Sequence, residues 1–128
     1  MTELSTVTPL VSGGAVANHY ASQGVFGDYL QRLSPATLTA MRYDLGHWCA
    51  FLYAGKMLAD PDCADTFLTE PSAWAGVTWG QVRAYQEWLL QQGQAVSTVN
   101  RRVSTVRALC RLAALAGYLD HDQARLME

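Results

Sequence analysis

Two stretches of apolar residues, each recurring at three- and four-residue steps, restrict what this chain can fold into more than any other feature. In the first, Leu38, Met41, Leu45, Trp48, Cys49 and Leu52 form one continuous stripe; in the second, Val99, Val103, Val106, Leu109, Cys110, Ala113 and Ala116 do the same. This spacing matches the 3.6-residue period of an α-helix, not the two-residue alternation of a strand. The punctuation agrees. Ser34-Pro35 reads as an N-cap followed by proline at the first helical position, where a missing N–H costs nothing. Gly55 is a suitable stop, which predicts a helix over 35–54. Ser97 is expected to cap a second long helix over 98–116, ended by Gly117 in the left-handed conformation.

The shorter segments fit the same scheme. Val25 to Leu33 reads as a short helix with Phe26, Leu30 and Leu33 on one side. The connector 56–77 contains Pro61, Pro71 and Gly76, with a turn of helix near 63–68 capped by Asp62. Thr78 and Gln81 match a capping box, opening a helix whose apolar face is Val82, Tyr85, Trp88 and Leu89 and whose end is Gly93. Residues 120–128 start another helix or a linker. With no strand pattern, the expectation is an all-α bundle of four to five helices. The 128 residues allow one domain, and 50% hydrophobic against 16% charged residues supplies a core. Each large apolar side chain buried contributes about 1.5–3 kcal/mol, more than any difference in helix propensity. The expected division is a flexible leader over 1–23, the helical domain over 24–119, and the start of a linker over 120–128.

Several function classes find no support. The stretch Leu4–Gly27 carries no Asp, Glu, Lys or Arg, but its polar residues, glycines and Pro9 disqualify it as a membrane span or signal peptide. Cys49, Cys63 and Cys110 are an odd number without metal-ligand spacing, which points to a reduced, cytoplasmic protein. His19, His47 and His121 do not cluster with them, and Asp60, Asp62 and Asp65 lack the glycine and glutamate of a calcium loop. No phosphate-binding loop and no nucleophile paired with a base is visible. Neither a metal, a cofactor nor a small-molecule substrate is expected. Trp48, Trp79 and Trp88 read as packing residues, and Trp74, in the connector, is ambiguous between packing and stacking on a ligand.

The charge distribution is more informative than its sum. Net charge is −2 and the pI is near 5.8, which by itself argues against a nucleic-acid partner. Between Glu87 and Asp120, however, stand Arg101, Arg102, Arg107 and Arg111 and no acid. Screening cuts off exposed charges beyond about 8–10 Å, so this local field outweighs the total. On the second long helix, Arg101, Ser104, Arg107, Ala108 and Arg111 lie opposite the apolar arc, a face that suits either phosphates or plain solvent. Arg102 falls inside the apolar arc, where an unpaired charge costs several kcal/mol. Side chains lean toward the helix N-terminus, so its guanidinium is expected to reach past the end of the core. On the first long helix, Thr39, Arg42, Tyr43, Gly46, Ala50 and Tyr53, with His47 at the edge, form the outward arc.

Two phrases carry a family resemblance. Residues 34–52, SPATLTAMRYDLGHWCAFL, are similar to the start of the core-binding domain of tyrosine recombinases (the phage-integrase family). Residues 97–119, STVNRRVSTVRALCRLAALAGYL, are similar to that domain's last long helix, and VTWGQVRAYQEWLLQQG resembles the helix between. The resemblance spans Phe26 to Leu119. The chain departs from the pattern at Met41, where tyrosine is common, in its longer connector, and at Asp122-Gln123 in place of an Asn-Pro pair. A SAM-like helical bundle is implied, one that closes with a separate catalytic domain around duplex DNA. By position, Thr37, Thr39, Arg42, Tyr43 and His47 of the first helix and Ser97, Thr98, Asn100, Arg101, Arg102 and Thr105 of the last would face the DNA. The family's catalytic arginines, lysine, histidine and tyrosine belong to the other domain, so none of the six tyrosines takes that role.

The expected function is therefore DNA binding at a recombination half-site, with double-stranded DNA and other recombinase protomers as partners and no strand cleavage by this chain. Four arginines on phosphates imply a log–log salt slope of about −3 to −4. Replacing Arg101 and Arg102 by alanine is expected to weaken binding and leave unfolding almost unchanged. The reading requires arginine tips that carboxylates do not occupy. The rival class is a helical protein-interaction module that assembles without DNA; a hidden hydrolytic site comes third, with no convergent acid, base and nucleophile to support it.

Overall fold

The computed structural model describes residues 24–127, all of whose regular structure is helical; the expected leader over 1–23 lies outside the described residues. The elements are α1 (24–31), α2 (Pro35–Ala54), α3 (Ala64–Thr69), a 3₁₀ turn (Pro71–Trp74), α4 (Trp79–Gln91), α5 (Val96–Leu115) and α6 (His121–Leu126).

Local chemistry sets most of these boundaries. Ser34 caps α2, its hydroxyl accepting from the Thr37 N–H at 3.1 Å. Thr78 and Gln81 form both halves of the capping box that starts α4. Removing the first half by Thr78→Ala is expected to lower stability by about 1 kcal/mol in urea unfolding, with Thr78→Ser restoring most of it. An unchanged midpoint would show that tertiary contacts alone hold the start of α4. At the end of α5, Gly117 has φ +89°, which lets the Tyr118 N–H turn back to the Ala113 carbonyl at 2.9 Å.

α2 ends where the sequence reading placed its stop, at Gly55, and the left-handed residue that follows is Lys56 (φ 61°), where the Met57 N–H turns back to Leu52 O at 2.8 Å. Two boundaries differ from the sequence reading. The cap of α3 is Cys63; the Asp62 N–H instead donates to Asp60. The cap of α5 is Ala95, with no side-chain hydrogen bond. Ser97 and Thr98 therefore lie inside the first turn, and the helix starts two residues earlier than expected.

The core is one aromatic-rich cluster. Trp48, Leu45 and Cys49 of α2, Phe67 and Leu68 of α3, Tyr85 and Leu89 of α4 and the inward stripe of α5 are all buried, and Phe26 of α1 joins them. Trp74, ambiguous from sequence, is fully buried. It stacks on Trp48 at 5.9 Å and donates its indole N–H to Phe67 O at 2.8 Å. α5 packs against α2, α4, α6 and the 3₁₀ turn, which makes it the central rod. α6 folds back onto the bundle through buried Ala124 and Met127, with Gln123 accepting from the Trp79 N–H at 2.9 Å.

Candidate nucleic-acid interface

Packing of α2 on α5 places a carboxylate between them. Asp44 precedes Leu45 on α2 and is 2% exposed. Burying an ionised carboxylate costs several kcal/mol unless donors replace its water, and here α5 supplies them. Arg101 Nη1 donates to Oδ1 at 2.7 Å and to Oδ2 at 2.9 Å, and Thr105 Oγ1 donates to Oδ2 at 3.0 Å. Arg102 Nε stands 3.6 Å from Oδ1. The Arg102 guanidinium also lies over the Tyr43 ring, 5.4 Å from its centroid, and its Nη1 donates to Gln94 Oε1.

Arg102 is thus only 7% exposed and does not reach past the end of the core as the sequence reading expected. A counterion made its burial affordable where none was foreseen. The expectation that removing it leaves unfolding unchanged is corrected with it. Asp44 is the residue that sequence reasoning missed. The signal was present, since an arginine inside an apolar arc requires a buried acid, and Asp44 flanks the stripe of the helix opposite.

The other predicted contacts distribute as follows. Thr37 is exposed and accepts from the Ser34 hydroxyl at 3.0 Å, and with Asp44, Arg101 and Thr105 it lines a shallow groove floored by Met41. Thr39 is exposed, its hydroxyl donating to Pro35 O at 3.0 Å. Arg42 pairs with Asp65 of α3, both side chains mostly in solvent. Such exposed pairs contribute about 0–1 kcal/mol, and a polyanion can displace them. Tyr43 is exposed and meets His47 edge-on at 5.0 Å. Burial, then the positive charge of Arg102, with Asp44 opposing, holds the His47 pKa below its usual value, so the imidazole is neutral at pH 7. Ser97 and Asn100 are exposed and Thr98 half-buried on the first turn of α5. Thr37, Tyr43 and His47 therefore gather with Arg101, Arg102 and Thr105. Thr39 and Arg42 bond elsewhere, and Ser97, Thr98 and Asn100 extend the edge toward the start of α5.

The requirement of arginine tips free of carboxylates is not met at Arg101, Arg102 and Arg42, and the electrostatic result is a reduced cation. Two guanidiniums share the Asp44 carboxylate, and Arg42 faces Asp65. Further along α5, Arg107 and Arg111 have no carboxylate within ion-pair distance among the described residues. Among those residues there is also no cluster of three metal-ligating side chains and no helix long and apolar enough to cross a membrane.

Comparison with known proteins gives one match. Residues 62–117 match the family model described as phage integrase, N-terminal SAM-like domain; no curated protein and no solved structure matches the chain. The matched segment runs from the cap of α3 through α5, so Ser97, Thr98, Asn100, Arg101, Arg102 and Thr105 lie inside it, and the α2 residues lie outside. The all-helical architecture agrees with that domain type. Residues 62–117, the part of the bundle from α3 to α5, are thus similar to the phage integrase N-terminal SAM-like domain, the family that the resemblance in the sequence singled out.

Proposed function

We propose that this chain is the DNA-gripping domain of a tyrosine recombinase and holds duplex DNA along the edge where α2 meets α5. The observation that carries the reading is the convergence of Thr37, Tyr43 and His47 with Arg101, Arg102 and Thr105 around Asp44, in a chain whose last long helix lies within an integrase domain match. In this reading the helical domain expected over 24–119 is completed by α6, which folds back onto it, and strand cleavage belongs to a separate catalytic domain. Duplex DNA and further protomers are the partners, in a cytoplasmic setting where the thiols rest reduced.

Asp44 changes the expected strength. Two arginines on one carboxylate contribute about one net charge, and Arg107 and Arg111 add two, so about three phosphates are neutralised and the log–log salt slope falls near −2.7. Fluorescence anisotropy of a labelled duplex from low to physiological salt measures it. Arg101→Gln and Arg111→Gln should each flatten the slope by about one. Absence of binding at low salt, or a signal independent of salt, would sink the electrostatic grip.

One observation favours a second reading. Arg101, Arg102 and Arg42 are occupied by carboxylates, as in a module that uses the bundle only for assembly. Sedimentation without DNA separates the two: a self-associating chain with no duplex affinity is the assembly module.

A further inference from the structure

We propose that Cys49 and Cys63 form a peroxide-responsive pair that closes to an intramolecular disulfide, pinning the start of α3 to the last turns of α2. Both cysteines are free, and their sulfurs stand 2.8 Å apart. That is closer than two unbonded sulfurs in ordinary contact, and a displacement of under about 1 Å reaches the bonded length of about 2.05 Å. Their positions differ in a way that assigns roles. Cys49 is fully buried against the core, whereas Cys63, at the cap of α3, is half-buried and is the more accessible of the two. Burial, reinforced by the contact with Cys63, pushes the Cys49 thiol well above its usual range, so it waits as the protonated partner. Cys110 sits on α5 in apolar surroundings, its thiol pushed up to about 12 by burial, and takes no part.

The chemistry balances with hydrogen peroxide as the oxidant. The Cys63 thiolate attacks one peroxide oxygen, the O–O bond breaks, and sulfenic acid forms with release of hydroxide. The Cys49 sulfur then attacks the Cys63 sulfur and displaces the hydroxyl, which leaves as water with the Cys49 proton. The thiols lose two hydrogens and one peroxide becomes two waters. The bridge links residues 14 apart in sequence, a short loop that includes the turn at Lys56.

The test treats the full chain with a few-fold excess of hydrogen peroxide, followed by mass spectrometry, non-reducing peptide mapping and thermal unfolding. The expected result is loss of two hydrogens, a Cys49–Cys63 linked peptide, and a Tm raised by about 10 °C that returns on reduction. Cys110→Ala should keep all three. Cys63→Ser, at a half-buried site that tolerates the change, should abolish them. Oxygen addition at Cys63 without a crosslink, a Cys63-linked dimer, or a crosslink that lowers Tm would each overturn the proposal. Duplex binding plays no part in the readout, so it stands or falls apart from the DNA reading.

Discussion

Asp44→Ala is expected to destabilise the folded chain by about 3–5 kcal/mol, although it removes only one small carboxylate. The cost does not come from the lost attraction itself. Arg102 has a side chain 9% exposed and no other carboxylate within ion-pair distance among the described residues, so the substitution leaves a buried guanidinium without a counterion. Thr105 loses its carboxylate acceptor and keeps only the longer bond to Arg101 O. Arg101, whose side chain is half exposed, can turn into solvent and adds little. A double change, Asp44→Ala with Arg102→Met, should recover most of the loss, because replacing a buried ion pair by apolar volume is often neutral or better. Urea unfolding of the single and double variants measures both values. A loss below about 1 kcal/mol for Asp44→Ala would mean that the α2–α5 contact does not depend on this network.

Trp74→Ala should cost a similar 3–5 kcal/mol, in a segment that the sequence marks only as a proline-containing connector. Its ring is fully buried, stacks on Trp48 and meets Phe67 edge-on at 4.9 Å. Its indole N–H satisfies Phe67 O inside the core. Truncation therefore opens a large cavity and strands a buried carbonyl, two penalties that add to the lost apolar area. Trp74→Phe keeps part of the stack but not the hydrogen bond, and should fall between the wild type and alanine. Thermal unfolding of Trp74→Ala with a Tm shift of only a few degrees would place the residue at the margin of the core instead.

The candidate site was legible in part. Tyr43, His47 and Arg101 could be placed on outward arcs or their edge from spacing alone, because a face repeats every three to four residues; Thr105 came only from the family resemblance. That Arg102 is a core element, and that Asp44 organises three side chains from α5, could not. These groups are 57 to 61 positions apart, and no local pattern specifies which faces meet. The same holds for the Cys49–Cys63 pair. Cap positions failed where two signals competed. Ser97 resembles the start of α5 more than Ala95 does, yet the helix begins at Val96 behind Ala95, with no side-chain cap.

Decided by sequence alone were the two long rods, their apolar stripes and most of their stops, since hydrogen bonds between residues three to five apart depend only on near neighbours. Decided only by tertiary structure were the burial of Arg102, the sharing of Asp44 and the reduced charge of the proposed DNA edge. Those depend on desolvation, and whether a charge loses its water is settled by what another helix places against it.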